Sequence, residues 1–75
     1  MEPIAFPLRG DYITLDALLK ASGLAGSGGA AKVLIAEGGV RVNGQAETRR
    51  GRKLRAGDEV AVGSSRVRIE SAPTS

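Results

Sequence analysis

Residues 15–44 read LDALLKASGLAGSGGAAKVLIAEGGVRVNG, and along them the spacing of apolar side chains changes from helical to extended. Leu15, Leu18 and Leu19 follow the i, i+3, i+4 spacing of one helix face, with Thr14 at the N-cap position and Asp16 in the first turn. Gly23 supplies a left-handed stop, and Leu24 beyond it can fold back as the hydrophobic contact of a Schellman cap. A first helix is therefore expected over about Leu15–Ser22. Ser27 is the next N-cap, and Ala31, Leu34 and Ile35 form a second apolar stripe that Gly38 ends. Two short helices joined by the tight Leu24-Ala25-Gly26 link must pack together, and Gly28, Gly29, Ala30 and Ala31 are expected to allow their close approach. After Gly39 the period becomes 2: Val40 and Val42 face one way, Arg41 the other, and Asn43-Gly44 is a two-residue hairpin turn.

Outward from this stretch, residues 1–11 hold two prolines and a Gly10-Asp11 turn signal, so an extended lead-in is expected, with a short strand near Ile4 to Phe6. Downstream, Leu54 anchors the end of a polar segment, Ala56-Gly57-Asp58 turns the chain, and Val60 and Val62 alternate with Glu59 and Ala61. Gly63-Ser64-Ser65 turns it again, so Val67 and Ile69 point inward while Arg66, Arg68 and Glu70 meet water. The organisation expected is a lead-in over 1–11, one folded unit over 12–70 and a disordered tail over 71–75. The fold class is α+β, two short packed helices followed by a small, mainly antiparallel sheet of hairpins.

The 75 residues suffice for one domain, and chains of this size hide only about 60% of the surface they expose when unfolded. Neither Cys nor His is present, so disulfides and zinc sets are excluded and the fold rests on its aliphatic core. No apolar run approaches the roughly 18 residues of a membrane span, and the first residues lack a signal-peptide pattern. A cytoplasmic protein without a membrane partner is expected. The carboxylates each read as turn formers, caps or solvated groups, and no nucleophile is poised, so the chain is read as non-catalytic, with no cofactor, metal or small-molecule substrate. GLAGSGGAAK has the glycine spacing of a phosphate-binding P-loop, but Gly29 stands where the lysine must be and a helix precedes it. What survives is an expectation that the amides of Ser27, Gly28 and Gly29, with Lys32 one turn on, hold one phosphate.

The stronger signal is the run RVNGQAETRRGRKLR, residues 41–55, which holds six of the eleven basic residues and one acid, Glu47. That window carries +5 while the whole chain carries +3. Such clustered cations repel one another until counterions or a polyanion relieve them, and the planar fork of arginine matches phosphate. Arg41, Arg49, Arg50, Arg52, Lys53 and Arg55, with Lys32, are the candidate contacts. Exchanging Arg50 and Arg52 together for alanine is expected to weaken RNA binding and leave stability nearly unchanged, since exposed charges contribute little to folding. No aromatic lies in the run, so base stacking is not expected as the main device. The second helix offers Ala, Gly and one Lys where a DNA recognition helix needs base-reading side chains, which leaves backbone and shape readout of structured RNA. The alternative is an adaptor that docks its basic loop on an acidic partner protein.

The order Leu15-Asp16, Ser27, Ala31, Ile35, Gly38, Val40, Val42, Asn43-Gly44 and Gly57-Asp58 resembles the S4 RNA-binding domain over residues 13 to 62. Within it, the Ser27-Gly28-Gly29 start and the run Arg49 to Leu54 resemble the small stand-alone bacterial S4-like proteins of the YbcJ/YaaA type. The resemblance implies an S4-like (αL) fold whose two helices and adjacent hairpin form a basic RNA-binding face. Two positions depart from the wider family: Gly28 replaces an Arg common after the Ser, and Thr14 replaces an Arg common before Leu-Asp, so Lys32 is the main helix-borne contact. S4 domains are often appended to catalytic domains that act on RNA. Standing alone, the chain would act as an adaptor or assembly factor on ribosomal, transfer or transfer-messenger RNA, associated with the ribosome or its proteins, as a monomer.

Overall fold

The computed structural model describes residues 3–72. The expected helices form where the pattern puts them, α1 at Leu15–Ser22 and α2 at Gly28–Ala36. Ser27 is a true N-cap: its hydroxyl accepts from the Ala30 amide at 3.1 Å. Gly38, at φ 76°, closes α2 in a Schellman motif, with its amide on the Ile35 carbonyl and that of Gly39 on Leu34. Gly23 stops α1 in the left-handed region, and the Ala25 amide, rather than that of Leu24, returns to the Leu19 carbonyl while Leu24 packs on the core.

Five strands form one sheet in the order β1-β7-β6-β3-β4: β1 Ile4–Leu8, β3 Val40–Val42, β4 Gln45–Ala46, β6 Glu59–Val62 and β7 Ser65–Ser71. A separate ribbon pairs β2, Ile13–Thr14, with β5, Lys53–Leu54. All pairings are antiparallel except β1 with β7. This is the α+β, S4-like architecture. Asn43 at φ 52° and Gly44 at φ 86° make the tight reversal that brings Val42 opposite Gln45. The N-terminal strand is longer than the lead-in suggests, reaching Leu8, which is buried, and Pro7 sits on the sheet edge, where a missing N–H costs the ladder least. At the other end β7 includes Ser71, and the expected tail beyond Ala72 lies outside the described residues.

One core joins the layers. Leu15, Leu18 and Leu19 of α1 and Ala31 and Ile35 of α2 bury against Val40, Val42, Val60, Val67 and Ile69 of the sheet, with Leu54 sealing the end at α1. The helix contact rests on Ala31, which is fully buried. Gly28 and Gly29 play no part in it: a Cβ at Gly28 would meet nothing within 4 Å, and one at Gly29 only the Ser27 hydroxyl at 3.9 Å. The expectation that these glycines serve close packing is corrected, because the start of α2 projects past α1 into solvent.

Candidate nucleic-acid interface

The loop between β4 and β6 carries most of the candidate cations, and three devices fix its shape. Glu47, 6% exposed, is covered by its own loop and its carboxylate accepts five hydrogen bonds. The Thr48 and Arg49 amides donate at 3.1 Å each, the Arg49 guanidinium at 3.2 and 3.3 Å, and Arg52 Nη1 at 2.8 Å. These guanidinium and amide donors hold the Glu47 carboxyl down to about 2, and Glu47 in turn raises Arg49. Next, the loop backbone docks on α1. The carbonyls of Arg52 and Arg50 accept from the Leu15 amide at 2.9 Å and the Asp16 amide at 3.1 Å, satisfying donors a helix start cannot pair internally. Thr14 occupies the N-cap position without a side-chain cap bond, and its hydroxyl, with the Ala17 amide and the nearby Arg50 charge, keeps Asp16 ionised below its ordinary range. Last, Leu54 pins the loop's exit in the core.

Between these anchors the side chains reach outward. Arg49, Gly51, Arg52 and Lys53 line an open groove of about 620 Å³. Arg49 remains 76% exposed in spite of its ion pair, and Arg52 is 36% exposed. Arg50 and Arg55 are exposed and, among the described residues, in no ion pair. Two of the five loop cations are therefore tied to Glu47, which the density of the run could not reveal. Arg52 in particular supports the loop through Glu47, so exchanging it together with Arg50 would disturb structure as well as charge.

The remaining candidates stand elsewhere. Lys32 is exposed on α2, and the Gly28 and Gly29 amides lie at that helix's exposed start, where Ser27 spends its hydroxyl on Ala30. Arg41, in register with Ala46 and Ala61, points from the sheet face opposite the helices. That face also carries Arg66 and Arg68, both reaching Glu59, at 3.7 and 3.3 Å. Asn43 and Asp58 have structural work: Asn43 Nδ2 donates to Asp58 Oδ1 and Asp58 Oδ2 accepts from the Arg55 amide.

Residues 6–70 match the family described as S4 domain. The chain belongs to the S4 domain family. Over 58 residues, 77% of this chain, it is 41% identical to "Putative RNA-binding protein YbcJ" of Escherichia coli (strain K12), covering 83% of that protein. The "Uncharacterized protein YbcJ" of Shigella flexneri matches to the same extent. Within this S4 domain the signature residues Asn43-Gly44 and Gly57-Asp58 form a hydrogen-bonded corner that sets where the basic loop leaves the sheet, because the Asn43 amide and carboxamide also bond Glu59 and the Gly57 amide bonds Ile69.

The sequence reading missed two residues. Tyr12 stands beside the loop, with Lys53 Nζ 5.0 Å from its ring centroid, because Thr14 pairs with Lys53 across β2 and β5. No aromatic lies in the run itself, but the fold brings this one beside it. Arg9, exposed beside the Gly10 turn, shares a groove with Arg55. A basic residue and one of only two aromatics flanking the same turn were the signal available. Among the described residues no helix is long and apolar enough to cross a membrane, and no cluster of acidic side chains could hold a metal.

Proposed function

We propose that this S4 domain is a non-catalytic RNA-binding module that grips structured RNA by its phosphates, with Arg49, Arg50, Arg52, Lys53 and Arg55 as the principal contacts. The observation that carries this reading is the loop's construction. Its backbone is bonded to the start of α1 and to the Glu47 carboxylate, so the outward cations are held in place before any ligand arrives, and little ordering entropy opposes binding. The printed name of the Escherichia coli relative points the same way. Lys32 with the start of α2 at Ser27, Gly28 and Gly29 would hold a further phosphate, whereas Arg41 would meet only an RNA that wraps the sheet. The target would be ribosomal, transfer or transfer-messenger RNA, met in the cytoplasm by a monomer.

The test is a titration of folded RNA at a series of salt concentrations. Glu47 cancels one of the five loop charges, so four net cations should make log affinity fall by roughly 3 to 4 per tenfold rise in salt. A flat response eliminates phosphate recognition. Arg50→Ala should lower affinity for every RNA tested and reduce the slope by about 1, with a nearly unchanged melting temperature, because its exposed guanidinium makes no ion pair among the described residues and its attraction to Asp16 is screened by solvent.

A further inference from the structure

Tyr12 is 45% exposed, while the chain's other aromatic, Phe6, packs against the core. An exposed ring with an ammonium over it contributes little to this fold, so its placement beside the basic loop asks for another use. The ring helps wall an open groove of about 250 Å³ that it shares with Phe6, Pro7, Leu8, Arg9 and Ile13. That is below the roughly 300 to 1,000 Å³ of sites for drug-sized ligands and of the scale of one planar ring system. Arg9 belongs also to the adjoining groove of about 510 Å³, together with Arg55 and one carboxylate, Asp11. Arg9 thus lines an apolar slot with an aromatic wall, Lys53 lies over that wall's ring, and Arg55 faces Arg9 across the adjoining groove. A bare phosphate would leave the slot unused, and an aliphatic ligand would leave the cations unpaired. A nucleotide satisfies both parts, since every base has a π-face and every linkage an anion.

We infer that the Tyr12 groove seats one unpaired nucleobase of the bound RNA, its ring against the tyrosine, with the flanking phosphates on Lys53 and between Arg9 and Arg55. This rests on the phosphate reading above and adds that the preferred RNA carries a single-stranded nucleotide next to its helix. The probes are a blunt RNA hairpin and the same hairpin with a short unpaired 3′ overhang, titrated into the full chain. Tyr12 is the only tyrosine and tryptophan is absent, so intrinsic fluorescence reports on this site alone. The overhang should tighten binding about tenfold and quench that fluorescence, and the blunt hairpin should leave it unchanged. Tyr12→Leu should erase the tenfold advantage while keeping the affinity for the blunt hairpin, and Tyr12→Phe should retain it. Equal binding of both hairpins by the native chain, without quenching, overturns the base seat and leaves the phosphate loop standing. Failure of both to bind overturns the two together. Should Tyr12→Leu not fold, the fluorescence and the Tyr12→Phe arm decide.

Discussion

Glu47 is the residue on which the basic loop turns, an acid that a count of charges treats as a subtraction. Buried and given five donors, it converts two of the surrounding arginines from repelling neighbours into struts. Its titration makes this measurable. The carboxyl has an ordinary value of 4.5, the value expected in the unfolded chain, and about 2 in the folded one. Between these the unfolded chain binds more protons, so stability rises with pH there. The contribution is complete above the unfolded value and is lost as pH falls from about 4.5 to about 2. Glu47→Gln cannot titrate. Its melting temperature should lie below that of the native chain at neutral pH, and the gap should close as pH is lowered through that window; melting curves followed by circular dichroism at pH 7, 4 and 2 check it, and a gap that stays constant would show that Glu47 is not the strut described. The same contact explains why Arg50 and Arg52, separated by Gly51, are unequal sites for substitution.

At the scale of elements, the two helices begin by different means. The start of α2 is capped within its own segment by Ser27, whereas that of α1 borrows the carbonyls of Arg50 and Arg52 from a distant loop. Removing the cap hydroxyl should therefore matter in one case and hardly in the other. Ser27→Ala should cost about 1 kcal/mol in urea denaturation, and Thr14→Ala only a few tenths, since no amide loses its acceptor. A comparable loss for both would mean that the loop carbonyls do not cap α1. This difference also marks what was legible beforehand. Both helices, the Ser27 cap, the Gly38 stop and the Asn43-Gly44 reversal are written in neighbouring residues, and all of them stand in the structure. The pairing of Thr14 with Lys53, the parallel pairing of Ile4–Leu8 with β7 and the arrival of Tyr12 at the loop depend on partners far along the chain, which local periodicity does not name. The site was legible as composition, five cations in one loop. Which of them are spoken for was not, because that depends on which side chains a single carboxylate accepts from.

For the whole molecule the consequence concerns where the folded unit begins. In a domain of 75 residues total stability is about 4 to 11 kcal/mol, so no strand is spare. Strand β1 pairs along its whole length with β7, from Ile4 beside Val67 to Leu8 beside Ser71, and contributes buried Leu8 and half-buried Phe6 to the core. Stripping it away removes two core side chains, each worth about 2 to 5 kcal/mol in comparable deletions, and bares the edge of β7 with the backs of Val67 and Ile69 behind it. A chain lacking residues 1–8 should consequently be unfolded or nearly so at 25 °C, with lost helical ellipticity and a tendency to self-associate through β7. It should lose RNA binding although every proposed phosphate contact is retained, since the loop's anchors, α1 and Leu54, are placed by the core that β1 helps to close. Retention of native stability and salt-dependent binding by the shortened chain would mean instead that the first strand lies outside the folding unit, as a lead-in over 1–11 implies.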